Sequence, residues 1–202
     1  SVTAAKINND IISGSTELSS APADTDEFLV SDAGTLKRID YSLIKGGGIT
    51  EADQWRVTSN FTDSANPISS NWERVDTDGY GKIGTGMSES SGVFSFASTG
   101  VYLINFTAAF TLNGSDRAIG IEIDTTTDGS SFDNAAANEA YINQTSGSVT
   151  YTMARSEFIF DVTNTSTHKC RFVISPVNSS TTTNGSTDQN RTYATFIRLG
   201  DT

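Results

Sequence analysis

The stretch Gly92-Val-Phe-Ser-Phe-Ala-Ser-Thr-Gly-Val-Tyr-Leu-Ile-Asn-Phe-Thr-Ala-Ala-Phe110 decides the fold. From Tyr102 onward, Tyr102, Ile104, Phe106, Ala108 and Phe110 fall on one face and Leu103, Asn105, Thr107 and Ala109 on the other. Side chains alternate with period two along a strand, so such a run has one side in a core. Gly100 follows Ser98 and Thr99, where a tight turn favours a residue without Cβ, and the short apolar strand Val93–Phe96 precedes that turn.

Similar runs lie on both sides of it. Trp55–Phe61, Trp72–Val75, Lys82–Ile83, Ala118–Asp124, Val149–Met153, Glu157–Val162, Lys169–Val177 and Arg191–Leu199 all read as strands. The alternation is visible in Ile119, Ile121 and Ile123, in Phe158, Phe160 and Val162, and in Tyr193, Ile197 and Leu199. The segments between, such as Thr125–Ser131 and Asn178–Asn190, are rich in Ser, Thr, Asn and Gly and read as surface loops. Residues 49–202 are therefore expected to form an all-β sandwich or barrel. No repeat period appears, which excludes solenoids and propellers.

Composition bounds the function. The 202 residues carry 36% hydrophobic and 18% charged side chains, with a formal net charge of −11 and no basic cluster. A nucleic-acid partner would need Lys and Arg to displace counterions from phosphate, so none is expected. The one cysteine, Cys170, excludes an intrachain disulfide and reads as a small buried hydrophobe. No apolar run is long enough to span a membrane, and Ser1–Lys6 does not read as a signal peptide.

Residues 1–48 differ in character. Ile7, Ile11 and Ile12 are spaced for a short helix with a thin apolar stripe. Phe28-Leu29-Val30 and Leu36-Lys37-Arg38-Ile39 flank Ser31-Asp32-Ala33-Gly34 and predict a β-hairpin. Asp40 is placed to cap a helical turn over Tyr41–Lys45, and Gly46-Gly47-Gly48 then breaks the chain as a hinge. So short a unit cannot enclose a core of its own. It is expected to lie on a partner surface or on copies of itself, through Ile7, Ile11, Ile12, Phe28, Val30, Leu36, Ile39 and Leu43.

The pattern Gly92-x-Phe94-x-Phe96-x-x-x-Gly100-x-Tyr102-x-Ile104-x-Phe106 resembles the signature strand pair of the C1q/tumour-necrosis-factor-like (TNF-like) jelly roll. The early Trp55-Arg56-Val57, the late Glu157–Val162 and the closing Thr192–Leu199 agree with it, so the likeness spans roughly residues 50–200. It implies a jelly-roll β-sandwich that assembles as a homotrimer. On that footing Leu103 and Ala109, on the reverse face of the central strand, and Phe196 are the expected trimer contacts. Residues 26–47 are similar to a segment recurring in bacteriophage tail-fibre and virion appendage proteins. The two resemblances together imply a protein of the virion surface, docked on other virion proteins by residues 1–48. Its jelly-roll head would face outward, toward a host glycan or protein in the tail-fibre case. A capsid decoration or head-fibre protein is the alternative, and an extracellular signalling ligand a distant third.

Chemistry is sparsely represented. His168 is the only histidine, and no Gly-x-Ser-x-Gly elbow flanks a serine, so the histidine reads as a solvated loop residue. Asp76 with Asp78, or Glu122 with Asp124, are the carboxylate pairs that glycan hydrolysis would require; pairs of this kind are common at polar strand ends. Asp76-Thr77-Asp78-Gly79 resembles the start of a calcium loop, but Tyr80 and Met87 stand where two further ligands belong. Asp124 and Asp128 bracket a similar turn. No cofactor is expected. Asn-x-Ser/Thr triplets recur, Asn105 among them inside the central strand, with nothing else to indicate a glycosylated protein.

Overall fold

The computed structural model describes residues 15–44, 48–144 and 146–202. The expected helix through Ile7, Ile11 and Ile12, and Lys45, Gly46 and Gly47, lie outside the described residues. The chain divides into two compact units, Ser1–Gly48 and Ile49–Thr202.

In the first unit, β1 (Glu27–Asp32) pairs antiparallel with β2 (Thr35–Asp40). The two-residue turn Ala33-Gly34 has φ of 48° and 83°, the left-handed pair that matches the twist of a tight hairpin. A 3-10 turn, Tyr41–Leu43, follows. Asp40 sits at its cap position, but its side chain makes no capping bond, contrary to the sequence expectation. Phe28, Val30 and Ile39 share one hairpin face, where the Phe28 and Tyr41 rings lie 6.1 Å apart. Leu29 and Leu36 share the other.

The second unit is built from β3 (Ala52–Val57), β4 (Phe61–Thr62), β5 (Trp72–Arg74), β6 (Ser88–Ser90), β7 (Val93–Ser95), β8 (Gly100–Leu112), β9 (Asp116–Thr126), β10 (Asp133–Ile142), β11 (Thr150–Val162), β12 (Lys169–Pro176), β13 (Thr182–Thr183) and β14 (Tyr193–Gly200). One sheet of seven strands runs β4-β13-β8-β14-β3-β5, with β11 paired to the remaining edge of β8. A second, of five strands, runs β10-β9-β12-β7-β6. β11 stays in register with β8 from Thr150 opposite Leu112 to Val162 opposite Gly100.

The core between the sheets follows from the alternation. Tyr102, Ile104, Phe106, Ala108 and Phe110 of β8 meet Ile119, Ile121 and Ile123 of β9 and Phe172 and Ile174 of β12. Phe106 stacks on Phe172 at 4.6 Å, and Phe94 meets Trp55, Trp72, Phe172 and Phe196 at 5.1–5.6 Å. Offset and edge-on rings of this kind contribute about 0.5–1.5 kcal/mol per pair beyond their burial.

One carboxylate is buried with its partners. Asp53 accepts from Arg74, from the Trp55 indole at 2.9 Å, from the Tyr80 hydroxyl at 2.5 Å and from the Met87 N–H at 2.8 Å. Burial alone would raise its pKa, but the bonds from Arg74, Tyr80, Trp55 and Met87 outweigh it, and the carboxyl sits below the ordinary range. Glu51, two residues earlier, accepts the N–H groups of Thr85 and Gly86. These two acids clamp the 84–87 backbone onto β3.

Two strand expectations are corrected and one strand was not foreseen. The two runs Val149–Met153 and Glu157–Val162 form one strand, β11. Lys82–Ile83 is no strand; Ile83 makes a single bridge to Ala52. β10, rich in Ala and Asn, carries none of the alternation that would mark it in the sequence, yet pairs along β9.

Candidate interaction face

Pairing along β8 fixes what the seven-stranded sheet presents on its outer side. Leu103 lies between Ile159 and Ile197, Asn105 between Glu157 and Thr195, and Thr107 between Arg155 and Tyr193. Ala109 lies opposite Met153 and Thr111 opposite Tyr151. The rows therefore run apolar, polar, apolar along the strand. Tyr151, Met153 and Ile159 are 70%, 67% and 60% exposed. Large apolar side chains grouped on one strand at this exposure lose free energy to water unless another surface covers them.

The polar band is internally satisfied. Arg155 donates to Glu157 at 3.2 Å, so the charges at the middle of the face cancel. Gln54 donates to the Thr195 hydroxyl at 2.8 Å. Leu103, Asn105, Arg155, Tyr193 and Ile197 line a shallow depression of about 240 Å³. β11 ends the sheet, and on its outer edge the Asn138 side chain donates to the Arg155 carbonyl at 2.6 Å. A face whose central charges cancel, with apolar ends and a hollow, suits a surface of similar composition, including its own copy.

Leu103 and Ala109 lie on this face, half-buried. Phe196 does not. It is 1% exposed and points into the sandwich, because its register partner is the inward Ile104. Tyr193 and Ile197 occupy the outer parity of β14, while Ala194 and Phe196 are inside; Leu199, exposed, falls at a register shift between Arg198 and Gly200. The sequence reading also missed Tyr151, Met153 and Ile159; the signal was the reversal of apolar parity along β11, Tyr151 and Met153 outward against Phe160 and Val162 inward.

The other named residues are placed as follows. Asp76 bonds Arg56 at 2.8 Å. Asp128 spends one oxygen on the N–H groups of Ser131 and Ser130 and the Thr126 and Ser130 hydroxyls, which hold its carboxyl well below the ordinary range. Asp124 faces Arg171 at 3.0 Å. Among the described residues, no group of three or more His, Cys, Asp or Glu side chains is placed to hold a metal ion. His168 is buried, not solvated: its ring stacks on Phe160 and its nitrogens meet the Thr163 and Thr167 hydroxyls at 3.2 and 3.1 Å. Neither partner is an acid or a serine. Cys170 is fully buried, and burial pushes its thiol pKa up, away from reactivity.

No protein-family model and no curated protein sequence matches the chain. Solved structures do. Murine APRIL at pH 5.0 superposes with a TM-score of 0.52 at 14% identity, over 74% of this chain and 98% of that one. The head has a TNF-like jelly-roll fold. Eiger TNF from S. frugiperda is similar over 77% of this chain and 96% of its own, at 11% identity and a TM-score of 0.49. At such identities the likeness establishes the jelly roll and nothing about ligand or partner.

Proposed function

We propose that this chain is a non-catalytic structural protein of a bacteriophage surface. In this reading it is a homotrimeric appendage that docks by residues 1–48 and presents its jelly-roll head to the host. The observation that carries it lies in the first unit. Residues 27–40 form a hairpin of fixed register, yet none of residues 15–44 is buried. Leu29, Leu36 and Leu43 are 74%, 69% and 74% exposed, and Phe28 is 40% exposed. A two-stranded ribbon with apolar groups on both faces is marginal alone and gains stability on another assembly. The likeness of residues 26–47 to a segment of virion appendage proteins supports a phage particle as that assembly.

Trimerisation is supported by the outer face of the seven-stranded sheet, whose apolar rows and cancelled charges suit contact with its own copy. Three heads on one foot turn weak contacts into firm attachment by shared presentation. A second reading, decoration of the capsid, is favoured by the shortness of the connection: the turn ends at Leu43 and β3 begins at Ala52, which leaves no room for a shaft. Antibody to the head, imaged on intact particles, tests both. Label at tail tips supports the receptor-binding appendage, label across the capsid supports decoration, and unlabelled particles contradict the virion assignment.

A further inference from the structure

A cleft of about 460 Å³ opens beside β3, between the turn Thr77–Tyr80 and the segment Asp188–Asn190. Its walls are preset. Asp78 and Gly79 have φ of 56° and 79°, and the Tyr80 N–H closes the turn on the Thr77 carbonyl at 3.1 Å. The Tyr80 hydroxyl donates to Asp53 and accepts from the Gln54 N–H, so the ring is held by its tip. Asn190 donates to the Gln54 side-chain oxygen at 2.5 Å, which fixes the opposite wall.

Among the described residues, the floor offers no free cation. Arg56 is 1% exposed and spends its guanidinium on Glu73, Thr77 and Asp76 at 2.7, 3.0 and 2.8 Å. The side chains of Asp78 and Asp188 hydrogen-bond no described residue, and the Asn190 amide oxygen is likewise unspent. What remains toward the opening is therefore two exposed carboxylates, amide groups and a fixed aromatic ring.

We propose that this cleft binds an uncharged oligosaccharide. Each sugar hydroxyl brings a donor and two lone pairs, which carboxylates and amides can match in pairs. The sugar's C–H face suits a ring whose polar tip is already engaged. Asp78 and Asp188 repel anionic ligands, since Arg56 is neutralised within the protein. The volume falls within the range of ligand sites, roughly 300–1,000 Å³. The inference rests on the host-binding reading above, and names the ligand class and its place on the head.

The test uses the full chain on an array of neutral oligosaccharides of glucose, galactose and N-acetylglucosamine, with sialylated counterparts. The comparison variant is D78G/D188A, in which glycine keeps the positive φ of position 78. Wild-type protein is expected to bind at least one neutral oligosaccharide and to prefer it to its sialylated form. The variant is expected to bind about tenfold less tightly, as when one charge-assisted hydrogen bond is lost, with its sedimentation unchanged. Binding to no neutral sugar, equal binding by the variant, or preference for sialylated sugars would each overturn the proposal. Particle labelling fails independently: labelled tail tips without sugar binding leave the appendage and remove the cleft, and sugar binding on unlabelled particles does the reverse.

Discussion

Asp53 shows how much one side chain organises. It is 4% exposed and joins β3 to Arg74, Tyr80 and Met87, residues 21, 27 and 34 positions away. D53N removes the charge of a buried carboxylate whose Arg74 partner is one-third exposed to solvent, at a cost of about 1–3 kcal/mol, readable by urea unfolding. The folded-state pKa of Asp53 is depressed, so its contribution is complete above the unfolded value of about 4 and is lost as pH falls through the folded value. Wild-type protein should lose this share of stability in acid, while D53N, already without it, should not. The same clamp makes Gly86 irreplaceable: its φ is 75°, and a Cβ there would lie 2.5 Å from an Asp53 oxygen. G86A is expected to lower the midpoint of thermal unfolding, by roughly 1–3 kcal/mol of strain. In the sequence Asp53 looked like any acid near a strand start, because its partners are remote along the chain. Gly100 was legible as a glycine position, though the reason is fuller than a turn: its φ is 143°, and a Cβ would meet the Arg198 Nε at 2.3 Å.

At the scale of the element, period-two alternation carried most of the reading. It located β8, β9 and β12 because the apolar side chains of each fall mostly on one parity. It misled wherever both parities hold apolar groups. β14 has Tyr193 and Ile197 outside and Ala194 and Phe196 inside, and β11 changes parity midway, so one strand read as two. β10 escaped notice because Ala and Asn carry little strand preference, and pairing with β9 overrides it. The hairpin of residues 27–40 was visible through Ala33-Gly34. Its ion pairs, Lys37 with Asp32 and Arg38 with Glu27, are exposed and add little. What matters there is the uncovered Leu29 and Leu36. Replacing both with Asp touches no buried group, so the head should fold with unchanged circular dichroism. Incorporation into purified particles, followed by immunoblot, should fall at least about a hundredfold, the loss expected when two leucines no longer become buried. Incorporation at wild-type levels would remove the hairpin as the dock.

For the whole molecule, the jelly roll is legible in the chain, whereas the outward apolar set of β11 is masked by the change of parity along that strand. The face that carries this set is the centre of the account. Ile159 and Met153 project from it and support nothing inside the sandwich, so I159D/M153D should leave thermal unfolding of the head nearly unchanged apart from any stability contributed by assembly. The same change should convert the assembly to single chains, since it places charge in an apolar contact. The most direct measurement is sedimentation equilibrium of the full chain at micromolar concentration. Trimerisation through this face predicts a mass three times that of the 21.5 kDa chain, falling to one chain in I159D/M153D; a single-chain mass for the wild-type protein would contradict it.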